Sequence, residues 1–163
     1  MDLLEAISEI GNILASYEMK LLLISAIIGA LIGLEREIAG KDPSLRTFSL
    51  ICVGSCLFAI ISREAVANQQ FGDPSRIAAQ VVTGIGFLGA GVIFHGRRGV
   101  SGLTTAALIW TTSAIGVAIG FGFIRTTVAA MLTVFALVML LKVVHIFIRF
   151  MRPEQYEGKT EFD

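Results

Sequence analysis

Five runs of uncharged, mostly apolar residues follow one another along the chain, separated by short segments that hold nearly all of the Arg and Lys residues. The runs are long, and they do not alternate between polar and apolar positions. Because hydrocarbon offers no water to backbone N–H and C=O groups, runs of this kind cross a bilayer as helices. The pattern therefore predicts an all-α integral membrane protein with five transmembrane helices.

The predicted spans are bounded by charged residues. They cover residues 19–36, 47–62, 77–94, a fourth range within 99–124, and 126–141. In the first span only the 14 residues 21–34 are uncharged, whereas a bilayer requires roughly 20. Glu35 and Arg36 are therefore expected near the interface. Lys142 directly follows the fifth span, and its long side chain is expected to reach the membrane surface.

The positions of Lys and Arg predict the orientation of the chain. Nine of them lie in the segments that follow spans one, three and five, and four lie on the other side. Since cytoplasmic segments carry the excess of cations, the N-terminus is predicted outside and the C-terminus in the cytoplasm. The formal net charge is zero, which favours no nucleic-acid partner, so the lipid bilayer is the expected environment.

Three parts of the chain differ in composition. Residues 1–18 place Leu and Ile at helical spacing between three acidic residues, which predicts an amphipathic helix on the outer interface. Residues 19–150 form the predicted five-helix domain. Residues 151–163 are predicted to be a short polar tail in the cytoplasm.

Glycines are concentrated in the predicted spans. The run Gly84-Ile85-Gly86-Phe87-Leu88-Gly89 matches the dinucleotide fingerprint by letter, but that fingerprint follows a strand, whereas this run lies in the middle of a span. Small residues in a membrane helix instead let two backbones approach closely. A pore or an unwound helix at residues 84–91 is the alternative. The predicted packing residues are Gly29, Gly33, Gly84, Gly86, Gly89, Ala90, Gly91, Gly116 and Gly120.

Charged and polar side chains near membrane depth are the candidate functional residues. Each of them is costly in lipid unless it is paired or faces water. The residues at the cytoplasmic ends of spans one and two predict a carboxylate–arginine network. A second group precedes span three on the outer side and continues into the bilayer along one helix face, as either a packing seam or a ligand, proton or ion site. The full set is Glu35, Arg36, Glu37, Arg46, Asp73, Arg76 and Gln80.

The sequence predicts neither a metal site nor catalysis. Every acidic residue that could bind Mg²⁺ has an Arg nearby that would repel a cation. Cys52 and Cys56 share one helix face, but two thiols do not complete a metal site. No arrangement of Ser with His or of paired Asp residues on a helix indicates an enzyme, so no catalytic residue and no cofactor is predicted.

Several motifs in their order along the chain resemble the MgtC/SapB family of bacterial inner-membrane proteins. They are Gly33-Leu34-Glu35-Arg36-Glu37, then Leu45-Arg46-Thr47, then residues 73–91, then residues 102–107 with Trp110. The resemblance implies a five-helix membrane domain. It also implies a role in coping with scarce magnesium, acid stress or life inside host cells (virulence), without the protein itself being a magnesium pump.

Two features depart from the family pattern. Ser44 stands where members more often have Gly before Leu-Arg-Thr. Longer members append a soluble cytoplasmic domain, whereas only about a dozen residues follow Arg152 here, which predicts a short form without that domain.

These observations lead to two hypotheses. In the first, the protein is not an enzyme and modulates magnesium, other ion or proton homeostasis through helix contacts with itself or with another membrane protein complex. A homo-oligomer is expected, with a dimer favoured. In the second, it is a small oligomeric transporter or channel with a polar path along span three through Asp73, Arg76 and Gln80.

Overall fold

The computed structural model describes residues 11–67, 72–96 and 99–151. A helical segment at residues 11–15 precedes five long helices. The helices are α1 (Tyr17–Ile38), α2 (Leu45–Val66), α3 (Ser75–Gly91), α4 (Leu103–Gly120) and α5 (Ile124–Met151). Between α3 and α4, strand β1 (Phe94–Gly96) pairs antiparallel with β2 (Gly99–Ser101). The predicted interfacial helix and polar tail lie largely outside the described residues and stay predictions.

Four of the helices, α1, α2, α4 and α5, are long and apolar enough to cross a membrane. Helix α3 has 17 residues. At a rise of about 1.5 Å per residue it is about 26 Å long, somewhat less than the hydrocarbon thickness of roughly 30 Å. The chain is therefore a mainly α-helical, multi-pass membrane protein.

The ends of the helices differ from the charge-free windows of the sequence. Helix α1 continues through Glu35 and Arg36 to Ile38, and α5 continues well past Lys142. Backbone hydrogen bonds and caps end a helix, so a charged residue does not interrupt it. Span three was predicted to reach Phe94, and this was wrong, because α3 ends at Gly91 and Phe94 begins β1.

Gly102 turns the chain from the hairpin into α4. Its φ of 86° is left-handed, and a Cβ built on it would lie 1.9 Å from the carbonyl oxygen of Val92. Glycine alone fits this position without strain or a clash with backbone. Gly102 therefore determines how the chain enters α4 after β2.

Helix α2 packs between α1 and α4, and glycines bring the three backbones together. A Cβ on Gly29 of α1 would lie 2.7 Å from the Phe48 carbonyl oxygen. On the adjoining face of α2, a Cβ on Gly116 of α4 would lie 2.4 Å from the Cys52 carbonyl oxygen. Gly33 and Gly120 make equally close approaches, to Leu45 and to Cys56. We call the contact of α2 with α4 the glycine seam.

Hydroxyl groups in the same interior are hydrogen-bonded over short distances. The Ser55 and Ser113 hydroxyls lie 2.8 Å apart across the glycine seam. Thr112 donates to the Leu108 carbonyl oxygen of its own helix, and Ser25 donates to Leu22 in the same way. All of these side chains are buried. The bundle formed by α1, α2 and α4 is therefore closed along its centre.

Helices α3 and α5 lie at the periphery. Helix α3 buries Ala78, Ile85 and Gly89. Helix α5 buries Thr127 and otherwise covers the core with partly buried side chains, among them Met131, Val134 and Phe135. Most of the surface of both helices is exposed in the single chain.

Candidate functional site

The C-terminal end of α1 carries the first group of charged residues, which we call the Glu35 cluster (Glu35, Arg36, Thr105 and Lys142). The side chain of Glu35 is 9% exposed and forms an ion pair with Lys142 of α5. The guanidinium of Arg36, 6% exposed, lies 4.0 Å from the second carboxylate oxygen of Glu35 and donates to Thr105 Oγ1 of α4 over 3.4 Å. Three helices therefore meet through charged or polar side chains at this point.

Lys142 and Thr105 were not predicted as site residues from the sequence. Lys142 was expected to extend to the membrane surface, and this was incomplete, because the Lys142 amine pairs with Glu35. Its side chain is 44% exposed, so the pair lies at the margin of the bundle. A signal was present in the sequence: Lys142 is the only Lys, Arg, Asp or Glu between Arg125 and Arg149. A single charged side chain at membrane depth is energetically costly unless an opposite charge pairs with it.

Glu37 and Arg46 have other environments. Glu37 Oε2 accepts a hydrogen bond from the backbone N–H of Leu45 over 3.4 Å, while Ser44 makes no side-chain cap. Glu37, near the end of α1, thus accepts a hydrogen bond from a backbone N–H at the start of α2. Arg46 is exposed, and the cations in contact with Glu35 are Arg36 and Lys142 instead.

At the opposite end of the bundle, Arg63 of α2 joins the ends of three helices. Its Nη1 donates to the Gly120 carbonyl oxygen at the end of α4 over 3.2 Å. Its Nη2 lies 3.6 Å from Glu18 Oε1, and the guanidinium lies 5.7 Å from the Tyr17 ring centre at the start of α1. A cation near the C-terminal carbonyls of a helix is favourable, so Arg63 stabilises this end of the bundle.

The start of α3 lies at the same end, since Ser62 of α2 donates to the Pro74 carbonyl oxygen. Asp73 Oδ1 accepts hydrogen bonds from Ser75 Oγ and Ser75 N, over 2.7 Å and 2.9 Å. These two bonds hold the pKa of the Asp73 carboxyl below its usual value, and the charge of Arg76 lowers that pKa further. Ser75, rather than Arg76, is therefore the main partner of Asp73.

The seven candidate polar residues do not form one cluster. Glu35, Arg36, Glu37 and Arg46 lie at the end of the bundle where α1 finishes, and Asp73 and Arg76 lie at the other end. Gln80 is exposed on α3, one turn beyond Arg76.

The predicted packing residues also fall into two groups. Gly29, Gly33, Gly116 and Gly120 lie in the closed interior, where a Cβ would meet neighbouring backbone. A Cβ on Gly89 would be 3.8 Å from Ala106, which is an ordinary contact. Gly84, Gly86 and Gly91 have no atom within 4 Å of a Cβ position, and Ala90 is exposed, so their packing role stays a prediction.

A cleft between α1, α4 and α5 borders the Glu35 cluster. Its lining is apolar except for one carboxylate, and consists of Ile32, Glu35, Leu108, Val134, Phe135 and Val138. Within the described ranges, no group of three or more His, Cys, Asp or Glu side chains could hold a metal ion. The Glu35 carboxylate is instead balanced by the cations of Lys142 and Arg36.

Comparisons with known proteins place this arrangement in a family. The family model described as "MgtC family" matches residues 22–147. The chain is 50% identical over 113 residues to an Escherichia coli K12 protein named "Putative magnesium transporter YhiD", covering 66% of this chain and 52% of the relative. It is 38% identical over 149 residues to an uncharacterized Haemophilus influenzae protein, covering 87% of this chain and 61% of the relative.

A third relative is "Protein SapB" of Bacillus subtilis, 42% identical over 115 residues, which cover 67% of this chain and 50% of that protein. The chain thus spans about half to three-fifths of the length of these relatives. No solved structure matches the chain significantly. The matched range includes all five long helices almost completely, with both charged ends of the bundle, and the chain belongs to the MgtC family.

Proposed function

We propose that this protein lies in the inner membrane and modulates the homeostasis of magnesium, of another ion or of protons. It acts by docking one of its helices against a second copy of itself or against another membrane protein. The observation that carries this proposal is the contrast between a closed interior and the open outer surface of α3. The printed name of the Escherichia coli relative, a magnesium transporter candidate, connects the proposal to magnesium.

The closed interior argues against an ion path through one copy of the chain. Gly116 and Gly120 bring the backbone of α4 directly against that of α2, and the Ser55 and Ser113 hydroxyls satisfy each other. A hydrated ion needs a polar cavity with room for water. The described helices instead leave no room there for even one methyl group at Gly116 or Gly120, so a regulatory role fits the geometry better than conduction through the bundle.

The proposal includes five membrane-spanning helices, with α3 as one of them. Helix α3 runs beside α2 and α4 from the Arg63 end toward the other end, as contacts at both its termini indicate: Ser62 with Pro74, and Gly89 near Ala106. A helix about 26 Å long crosses a bilayer with slight local thinning. The excess of Lys and Arg supports a cytoplasmic position for the Glu35 end. Fluorescent protein fused after residue 163 is expected to fluoresce, and a dark, membrane-inserted fusion would contradict this orientation.

Ion flux into sealed liposomes tests the mechanism. The native chain, reconstituted beside empty liposomes, is expected to give no Mg²⁺ or proton flux above background, with an ionophore as positive control. Flux in the native chain would favour the second candidate, a transporter whose path follows Asp73, Arg76 and Gln80 between copies. That candidate requires Arg76→Ala to abolish flux and Arg125→Ala, which removes an exposed cation from the start of α5, to retain it.

A cellular experiment tests the link to magnesium. In Escherichia coli K12 cells that lack YhiD, the native chain is expected to change growth or magnesium content when magnesium is limiting. Arg76→Ala is expected to lose that effect at equal membrane abundance, whereas Arg125→Ala keeps it. The proposal fails if the native chain has no effect, or if both variants behave like it.

A further inference from the structure

The outward side of α3, opposite its buried Ala78 and Ile85, carries a regular line of exposed residues, which we call the α3 line. Successive members are four, three, four and three residues apart. This is the spacing with which two helices wind around each other as a left-handed pair. One member, Phe87, is 82% exposed. The members of the α3 line are Arg76, Gln80, Thr83, Phe87 and Ala90.

Exposure of the Gln80 amide to lipid is energetically unfavourable. It lies five residues after Ser75, about 7 to 8 Å along the helix, and its side chain is exposed. An amide carries two N–H donors and one carbonyl acceptor, and hydrocarbon satisfies neither kind of group. A second Gln80 at the same height provides both a donor and an acceptor, so two identical amides complete each other.

Phe87 and its neighbouring glycines are also complementary in shape. Gly84 and Gly91 lie one turn before and one turn after Phe87, and no atom comes within 4 Å of a Cβ at either glycine. The helix surface therefore has a large ring flanked by notches. A parallel copy in the same register carries its ring at a height between the two notches, where it can pack as a knob enters a hole.

The charges at the start of α3 fit the same arrangement. Copies of a membrane protein insert with one orientation, so two α3 helices that meet around a two-fold axis run parallel. Arg76 then lies near its counterpart, and the two cations repel. Both hydrogen bonds to Asp73 use Oδ1, which leaves Oδ2 to pair with the partner's Arg76.

We propose that a second copy of this chain covers the α3 line, forming a parallel two-fold dimer in which the Gln80 amides bond to each other and Phe87 packs between the two glycine notches of the partner. This inference rests on the proposed function, because it names the partner of the same surface. The α3 line and its neighbouring residues supply what the opposing helix must provide: an amide at the height of Gln80, open glycine positions above and below the ring, and the Asp73 carboxylate near the Arg76 cation.

Oxidative cross-linking of single cysteines in native membranes tests the dimer. Thr83→Cys, in the middle of the α3 line, is expected to form a reducible product of about twice the 17.5 kDa mass of one chain. The matched control is Ile27→Cys, 61% exposed at a similar depth on α1, which is expected to stay monomeric. The native Cys52 and Cys56 are buried, so the unmodified chain reports any background.

A second substitution tests whether the cross-linked dimer depends on the hydrogen bonds between the two Gln80 amides. Adding Gln80→Leu to Thr83→Cys is expected to weaken association about tenfold, as loss of a hydrogen bond between membrane helices does in favourable cases. Gln80→Asn keeps an amide and is expected to retain more of the product. Two copies with different tags, mixed in one membrane, show whether the product contains two chains of this protein.

The dimer is refuted if Thr83→Cys yields only monomer, if it yields only a product of another mass, or if Ile27→Cys cross-links equally well. Such a result leaves the proposed function to its own tests, because flux and growth at limiting magnesium are measured without reference to this contact. A mixed-tag product that Gln80→Leu diminishes supports the second copy as the occupant.

Discussion

The glycine seam and the outer side of α3 contain the same kinds of residue, glycine together with Ser or Thr, in opposite environments. On the seam, Gly116 and Ser113 contact α2 directly and are buried. On α3, Gly84 and Thr83 are exposed, and nothing lies near the glycine. Small residues in a membrane helix therefore do not by themselves show where another helix of the same chain approaches closely.

The largest difference between the two regions is expected from adding one methyl group to each. Gly116→Ala places a Cβ 2.4 Å from the Cys52 carbonyl oxygen, and backbone on both sides prevents an easy adjustment. We expect a loss of about 1–3 kcal/mol in the free energy of unfolding, as for overpacked cores. Gly86→Ala, where the space is open, is the control and is expected to change it by less than about 0.5 kcal/mol.

Reversible unfolding of both variants by detergent titration measures these changes. If Gly86→Ala costs as much as Gly116→Ala under monomeric conditions, the distinction between a closed seam and an open face is wrong. Gly86→Leu is a separate test, since it leaves the fold of one chain intact and is expected to impair assembly.

The Glu35 cluster joins the peripheral α5 to the closed bundle. Substitutions in this cluster therefore measure how much the connection contributes to the free energy of unfolding. Lys142→Met removes the closer of the two cations that balance the nearly buried Glu35 carboxylate and leaves only Arg36, 4.0 Å away. We expect a loss of about 2 kcal/mol, below the range for fully buried pairs because Lys142 is partly exposed. Adding Glu35→Gln removes the stranded charge and is expected to recover most of the loss. A double-mutant cycle in the same titration gives the coupling, and strict additivity would contradict the pair.

A smaller effect is expected from the hydroxyl pair on the seam. Ser113→Ala leaves the buried Ser55 hydroxyl without the partner that lies 2.8 Å away. Hydrogen bonds between membrane helices contribute about 0.6 kcal/mol on average, and we expect a loss of that size. Thr111→Ala in the same helix is the control, because the Thr111 hydroxyl donates to Ala107 of its own helix and joins no second helix. Equal losses in the two variants would show that the pair adds nothing specific to the seam.

The smallest effect concerns the start of α3 and depends on pH. Because the pKa of Asp73 is lowered in the folded protein, its ionised carboxylate stabilises the fold above the ordinary pKa of about 3.9, and this contribution is lost as pH falls through the lowered value. Asp73→Asn is therefore expected to be less stable than the native chain at pH 7, with the difference shrinking toward pH 2. Thermal unfolding of both proteins across this range measures it, and a difference that is constant with pH would contradict the role of Ser75 as partner.

The sequence predicted much of the fold because charge-free runs define where helices can lie in lipid. It did not predict that Phe94 leaves span three for a strand, because Phe94 is as apolar as its neighbours and the turn depends on the left-handed Gly102. Lys142 was missed because its contact with Glu35 depends on how α5 is rotated against α1. Arg76, Gln80 and Thr83 lie in one helix and are exposed, and their spacing alone places them on one face, while the functional role of that face stays a prediction.

The bond from Leu45 to Glu37 has a consequence for how the protein is made. It joins the end of α1 to the start of α2, next to the close approach of Gly33 to Leu45. All of these groups have been synthesised once residue 45 is in place, and the approach of Gly29 to Phe48 follows within three more residues. The first two helices can thus leave the translocon as a paired hairpin, and α4 packs against the adjoining face of α2 when it emerges. The order of synthesis along the chain is also the order in which its helices find their neighbours.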